Sequence, residues 1–94
     1  MYERALRGYE RLLGPDHAST LSTVGNLADL LADLNLWVEA KSMYQRCVDG
    51  YEKALGREHP RTLRHVNNFA IDLKSRGETA EREALLARFP KAKR

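Results

Sequence analysis

The sequence LGREHPRTLRHVNNFA at residues 55–70 repeats an earlier one, LGPDHASTLSTVGNLA at residues 13–28. The two stretches lie 42 positions apart, and the same offset aligns further residues on both sides of them. Of the 52 pairs that this offset aligns, 17 are identical, about a third. A fixed period of this size is typical of supersecondary units that bury their apolar faces against neighbouring copies. The sequence therefore predicts a repeat protein.

Apolar residues within each copy are spaced as they would be on one face of a helix. The stripe in the first copy consists of Leu21, Val24, Leu27, Ala28, Leu31 and Leu34. The matching stripe in the second copy consists of Leu63, Val66, Phe69, Ala70 and Leu73. Another apolar stripe lies between these two and extends from Ala40 to Leu55, with the same steps of three and four. Each repeat is therefore predicted to be a pair of helices.

Turn-forming residues separate these stripes and set the predicted helix bounds. Gly14 and Gly56 follow the ends of stripes, where glycine readily adopts a left-handed turn, and Pro60 can open a helix at its first position. Asp16 and Ser19 are candidate N-caps for the first copy. The helices are predicted near residues 2–13, 18–34, 37–55, 60–76 and 78–89. The predicted fold is all-α: a right-handed solenoid of helical hairpins with about five antiparallel helices.

Composition favours a soluble protein that lies in the cytoplasm. Hydrophobic residues make up 43% of the chain and charged residues 31%, which suits a globular fold and excludes a disordered one. No apolar run is long enough to span a bilayer, and the first residues lack the apolar core of a signal peptide. The single cysteine, Cys47, excludes an internal disulfide.

Positive charge is concentrated at the C-terminal end of the chain. Residues 74–94 carry a net charge of +4, whereas residues 1–73 sum to −1. We expect the repeat array to occupy residues 1–89 and a basic tail to occupy residues 90–94. A solvated tail is the favoured interpretation. An electrostatic contact with an acidic partner or with nucleic acid is the alternative, and nucleic acid is the less expected of the two.

The combination of these motifs resembles the tetratricopeptide repeat of the kinesin light chain type. The resemblance rests on Leu-Gly and His-Pro before Thr-Leu in residues 55–63, on Asn-Phe-Ala at 68–70, and on Glu-Ala followed by Tyr-Gln-Arg in residues 39–46. It covers nearly the whole chain except residues 90–94. Arg82 departs from the pattern, because a small residue usually stands there and lets helices approach closely. The resemblance implies a scaffold that binds a protein or an extended peptide.

No motif in the chain predicts catalysis, a cofactor or a metal site. His17 and His59 occupy the same repeat position just before a helix, which indicates a role in the turn or in packing. Cys47 lies on an apolar stripe and is expected to be a buried thiol rather than a nucleophile. Phosphate-binding loops and the common hydrolase motifs are missing from the sequence. We therefore expect a binding protein rather than an enzyme.

The candidate binding residues lie on the first helix of each pair, which lines the concave side of a stacked array. Asn26 and Asn68 recur there, and a carboxamide can both donate to and accept from a peptide backbone. The resemblance implies that these two asparagines grip a peptide, with Asn67 and Arg64 beside them. Arg61 and Arg64 would favour an acidic ligand. Equally, the asparagines could bond between neighbouring helices, and the arginines could be ordinary solvated charges.

Self-association is the alternative function. The predicted first helix presents apolar residues without a preceding repeat to cover them, namely Tyr2, Leu6, Tyr9 and Leu13. Short arrays bury each apolar face only against a neighbour. A homo-oligomer formed through this exposed N-terminal helix is therefore a second expectation, and the chain is expected to be part of a longer array.

Overall fold

The computed structural model describes residues 4, 7–8, 11–12, 14 and 17–92, and four helices lie within residues 17–92. They are α1 (Ala18–Asp33), α2 (Trp37–Leu55), α3 (Pro60–Ser75) and α4 (Thr79–Arg88). Short connections make successive helices antiparallel, so that α1 with α2 and α3 with α4 form two hairpins. No strand occurs in the described ranges, and the predicted all-α fold is confirmed. The helix predicted at 2–13, with its apolar residues, lies outside the described residues apart from isolated positions.

A histidine caps the N-terminus of the first helix of each hairpin. The Nδ1 atom of His17 accepts a hydrogen bond from the backbone N–H of Ser19 at 3.1 Å. His59 Nδ1 accepts from the Arg61 N–H at the same distance. The prediction of Ser19 as N-cap is wrong, because Ser19 already lies inside α1, and the predicted cap Asp16 lies outside the described residues. His17 takes the role because it is the last residue with extended backbone, which aims its ring at an unpaired N–H group.

The two hairpin turns close with the same backbone geometry. Asn35 and Gly77 follow α1 and α3 with positive φ angles of 63° and 78°. In each turn the next residue donates its N–H to a carbonyl five residues back: Leu36 to Leu31 at 2.8 Å, and Glu78 to Leu73 at 2.9 Å. This pairing satisfies the last free carbonyl groups of each helix. The turns therefore follow from residues that tolerate a left-handed conformation.

The core runs through both hairpins and reaches the end of α4. Leu21, Val24 and Tyr51 are buried between α1 and α2. A larger cluster joins all four helices, and its members are Ala28, Tyr44, Val48, Val66, Phe69, Ala70, Leu73, Leu85, Leu86, Phe89 and Ala92. A β-carbon on Gly50 would lie 2.3 Å from the buried Leu21 side chain, so that side chain would have to shift to admit any other residue at position 50.

Polar contacts hold the second turn against the first. The Arg76 guanidinium donates to the Ala32 carbonyl at 2.9 Å and to the Asn35 side chain at 3.1 Å. It also lies 5.0 Å from the centre of the Trp37 ring. The indole N–H of Trp37 donates to the Glu78 carboxylate at 2.5 Å. These contacts fix the second hairpin against the first at the end of the fold where the turns lie.

The chain beyond α4 continues to pack against the core. Phe89 is fully buried and Ala92 is 7% exposed. Part of the segment expected to be a solvated tail is therefore anchored to the second hairpin, because the apolar spacing of α4 extends past its last helical residue. No helix among those described is long and apolar enough to cross a membrane.

Candidate functional site

A groove runs between α1 and α3, and we call it the inner groove. Its α1 wall carries polar residues spaced by three and four, from Ser19 through Asn26 to Asp29. Its α3 wall carries Arg61 and Asp72 at corresponding ends. Side chains at this spacing share one face of a helix. Because α1 and α3 run in the same direction, the two walls begin at the same end of the groove. The groove contains two hollows.

The first hollow, which we call the basic hollow, lies near the N-termini of α1 and α3. It has a volume of about 410 Å³. Its lining residues are Ser19, Ser22, Thr23, Asn26, Tyr51, Arg61 and Arg64. Two guanidinium groups, hydroxyl groups and one carboxamide therefore surround the same space. Both arginines and Asn26 are exposed to solvent. Such a set donates hydrogen bonds in several directions, which suits a carboxylate and a peptide carbonyl.

The second hollow, the acidic hollow, lies towards the C-termini of the same helices. It measures about 200 Å³ and is lined by Asp29, Tyr44, Asn68, Ile71 and Asp72. The Tyr44 hydroxyl reaches up from α2 and lies 2.5 Å from Asp29 Oδ1 and 2.6 Å from Asp72 Oδ2. Burial raises the pKa of Tyr44, and the two carboxylates raise it further, so the phenol keeps its proton at neutral pH. This hollow is rich in acceptors.

A buried aromatic pair supports the floor of the basic hollow. Tyr51 of α2 stacks on His65 of α3 with ring centres 4.7 Å apart and planes 13° apart. His65 packs against Gly25, where a β-carbon would lie 2.7 Å from the imidazole Cε1. Burial lowers the pKa of His65, and the neighbouring guanidinium of Arg64 lowers it further. The imidazole is therefore neutral at pH 7, and its buried Nε2 atom has no hydrogen-bond partner among the described residues.

The structure separates the predicted site residues between the two hollows. Asn26, Arg61 and Arg64 line the basic hollow together. Asn68 lines the acidic hollow instead. Asn67 is half-buried and lines neither of them. The two asparagines 42 positions apart thus face different surroundings, which their sequence equivalence did not indicate.

Sequence reasoning missed the acidic hollow. Asp29 lies three residues after Asn26, and Asp72 lies four residues after Asn68, so both carboxylates share a helix face with a predicted asparagine. Extending that spacing by one turn would have found them. Their convergence on Tyr44 had no local signal, because the three residues belong to three different helices.

Cys47 is shielded from solvent, and the described side chains form no metal centre. Cys47 is fully buried, and burial raises the pKa of its thiol to about 12, which keeps it protonated and unreactive. Within the described residues, no three histidine, cysteine, aspartate or glutamate side chains lie close enough to hold a metal ion.

Paired antiparallel helices that stack with equivalent turns and leave a polar groove define an α-helical repeat protein. Residues 1–53 match the sequence profile of the tetratricopeptide repeat family. This match covers more than half of the chain, and the chain therefore belongs to that family. Tetratricopeptide repeats generally mediate protein–protein interactions. No curated protein gives a significant match to the chain.

Proposed function

We propose that the inner groove binds an extended peptide segment of a protein partner, and that the basic hollow receives an acidic side chain or carboxylate of that segment. The proposal gives the chain a binding role and no catalytic one. Its main support is the convergence of Arg61, Arg64 and Asn26 on a single hollow of about 410 Å³. Planar guanidinium groups bind carboxylates through two parallel hydrogen bonds.

The charge of the basic hollow is available to a ligand. Among the residues that the structure describes, no carboxylate forms a salt bridge with Arg61 or Arg64. By contrast, Arg88 bridges both Asp49 and Glu52. Two neighbouring cations without an acidic partner repel each other, and a bound carboxylate would relieve this repulsion.

Carboxamides at two points along the groove support an extended ligand. We propose that Asn26 and Asn68 bond the ligand backbone at successive positions, and that half-buried Asn67 supports Asn68 from the adjoining position. Because each carboxamide can donate and accept, such bonds hold a backbone without selecting its side chains. Selection would then come from the arginines.

We also propose that the repeats are of the long, kinesin light chain type with a 42-residue period. Features 42 residues apart in the structure support this, since His17 and His59 form the same cap, and Asn35 and Gly77 form the same turn. Gly14 and Gly56 likewise share φ angles of 90° and 94°.

Peptide binding tests this proposal directly. An array of ten-residue synthetic peptides, each carrying one or two Asp or Glu residues among small neutral ones, is probed with the full chain, and the best binders are measured by fluorescence anisotropy. We expect binding that weakens with added salt, because exposed charges are screened. We expect a loss of at least about tenfold in Arg64→Ala and in the double variant Asn26→Ala with Asn68→Ala, in line with one lost charge-assisted bond.

Matched substitutions elsewhere provide the controls. Lys74→Ala removes an exposed cation from α3 outside the groove, and Gln45→Ala removes an exposed carboxamide from α2. Both should bind as the unaltered chain does. If no acidic peptide binds, or if Arg64→Ala binds as tightly as Lys74→Ala, the proposed function is wrong.

A second candidate function is self-association through the first hairpin, and the observation that favours it is an apolar patch at the first turn. Leu34, Leu36 and Val38 are 59%, 44% and 78% exposed. They adjoin an apolar hollow of about 340 Å³ that Leu27 and Met43 help to line. We propose that a second copy of the chain covers this surface.

Light scattering over a range of concentrations tests self-association. We expect the apparent mass to rise with concentration, and we expect Leu34→Arg combined with Leu36→Glu to keep the chain monomeric. Ile71→Asp, which changes an exposed apolar residue in the inner groove, is the control and should associate as the unaltered chain does. A strictly monomeric chain at high concentration would exclude this candidate.

A further inference from the structure

The inner groove has opposite charges at its two ends. Arg61 and Arg64 stand at the end where α1 and α3 begin, and Asp29 and Asp72 stand at the end where these helices finish. Both ends are open hollows on one continuous pair of helix faces. A ligand that lies along the groove therefore meets cations first and carboxylates afterwards, and a purely acidic segment complements only one half.

The acidic hollow has two carboxylates that share a single hydroxyl donor. The Tyr44 hydroxyl carries one proton but lies within 2.6 Å of oxygen atoms from both Asp29 and Asp72. It can donate to one carboxylate at a time, so the other faces an oxygen lone pair. In the described part of the chain, neither aspartate takes part in a salt bridge. A cation in the hollow would stabilise the arrangement.

An exposed aliphatic side chain beside the carboxylates narrows the chemistry of that cation. Ile71 lines the acidic hollow and is 64% exposed. Lys and Arg side chains combine a charged end with an aliphatic stem that packs on apolar surface. A hollow with Ile71 at its wall and two carboxylates at its base matches both parts of such a side chain.

The distance between the two ends sets a spacing. Arg64 and Asp72 are eight positions apart on α3, which corresponds to about 12 Å along the helix axis. An extended chain advances about 3.3 Å per residue. About four residues of an extended ligand therefore separate the two charged ends of the groove.

We propose that the acidic hollow binds a Lys or Arg side chain of the same segment whose acidic side chain occupies the basic hollow, with the two about four residues apart. The ligand is thus a peptide of mixed charge rather than a purely acidic one. This inference rests on the proposed function of the inner groove and adds the second charge and its position.

Synthetic nine-residue peptides test the inference. One set carries Asp and Lys four positions apart in either order among Ala, Ser and Gly residues; a second set has Gln in place of Lys; a third has Lys only two positions from Asp. Binding to the full chain is measured by fluorescence anisotropy at 0.1 M salt. We expect the four-position peptide with the better order to bind about fivefold more tightly than its Gln counterpart, the effect of one partly exposed ion pair. The two-position peptide should show no such gain.

Variants of the chain identify the hollow that is responsible. Asp29→Asn combined with Asp72→Asn keeps acceptors for the Tyr44 hydroxyl and removes both charges, so it should abolish the preference for Lys over Gln. Asp72→Asn alone should reduce the preference for Lys. It replaces the double variant if circular dichroism shows that the double variant is unfolded. Glu39→Gln removes an exposed carboxylate from α2 outside the groove and should leave the preference unchanged.

The outcomes separate the two proposals. If the Gln peptides bind as tightly as the Lys peptides, the inference is wrong and the proposed function stands. If the preference for Lys survives in the double aspartate variant, the cation binds elsewhere and the inference is wrong. If no peptide with an acidic residue binds, the proposed function fails and the inference fails with it.

Discussion

The turn of the first hairpin and the turn of the second have the same backbone conformation, but the side chains of one are apolar and those of the other are polar. Asn35 and Gly77 give them the same left-handed residue. Arg76 and Glu78 in the second turn are polar and reach back to the first hairpin, where they contact residues from Ala32 to Lys41. The residues at the equivalent positions of the first turn, Leu34 and Leu36, are exposed and apolar.

The same contrast extends from the turns into the hairpins. In the second hairpin, Phe69, Leu73 and Leu85 line a hollow of about 400 Å³ whose far wall is Lys41 and Gln45 of α2. The equivalent hollow of the first hairpin is lined by Leu27, Leu31 and Met43, with Val38, Glu39 and Ser42. Position within the repeat therefore determines the backbone conformation. The neighbour against which each hairpin packs determines which side chains form contacts and which remain exposed.

The largest expected effect comes from comparing Gly50 with Gly8, which lies 42 residues earlier. A β-carbon at Gly50 would meet the buried Leu21 side chain at 2.3 Å, whereas one at Gly8 would meet no atom of the described residues within 4 Å. We expect Gly50→Ala to lower the free energy of unfolding by about 1–3 kcal/mol through overpacking. Gly8→Ala should leave it unchanged or raise it by up to about 1 kcal/mol. Urea unfolding followed by circular dichroism measures both, and equal effects would contradict the close approach of α1 and α2.

The next largest effect is a pH dependence of the free energy of unfolding. It comes from His65, whose equivalent in the first hairpin is Thr23, a residue that does not titrate. The pKa of His65 is lowered in the folded chain, so the unfolded chain binds the proton first. The free energy of unfolding should therefore be unaffected by this group above about pH 6.5 and should fall as the pH drops below that value. The charged and titratable groups around the imidazole are Tyr51 and Cys47 from α2, Asp29 from α1, and Arg61 and Arg64 from α3.

Substitution at His65 isolates this contribution. His65→Phe keeps an aromatic ring against Tyr51 and cannot take up a proton. The midpoint of urea unfolding at pH 5.5, relative to pH 7.5, should fall less in His65→Phe than in the unaltered chain. Parallel falls in the two proteins would show that His65 is not the group responsible.

The smallest effect tests the polar contacts of the second turn. Arg76→Leu removes the hydrogen bonds to Ala32 and Asn35. It also places in the second turn the leucine that the first turn has at the equivalent position, Leu34. We expect a loss of about 1 kcal/mol in the free energy of unfolding, because these bonds are exposed to solvent. The reciprocal change, Leu34→Arg, should alter it by no more than about 0.5 kcal/mol. A comparable loss in both variants would contradict the difference between the turns.

The local sequence was enough to predict where the helices lie. It was only partly enough to predict which residues cap them. The predicted 37–55 agrees with α2 at both ends, and α3 begins at Pro60 as expected from a residue that is suited to the first helical position. The sequence predicts Asp16 or Ser19 as the cap of α1, since aspartate and serine are generally preferred at that position. The structure assigns it to His17, because capping depends on the dihedral angles of one residue.

The candidate site was only partly accessible from the sequence. Arg61 and Arg64 share a helix face, so their proximity could be predicted, and Asn26 joins them across the groove. The charge at the other end could not be predicted in the same way. It depends on carboxylates from α1 and α3 meeting the Tyr44 hydroxyl of α2, and contacts between helices carry no fixed spacing along the chain.

Periodicity alone was enough to establish the helices, their order, and the apolar faces they bury apart from Leu34, because those properties depend on residues within one or two helical turns of each other. Folding in three dimensions assigned Asn26 and Asn68 to hollows of opposite charge and left Leu34 exposed where Arg76 is bonded. Equivalent residues acquire different surroundings because each hairpin packs against a different neighbour, and no local pattern encodes that neighbour.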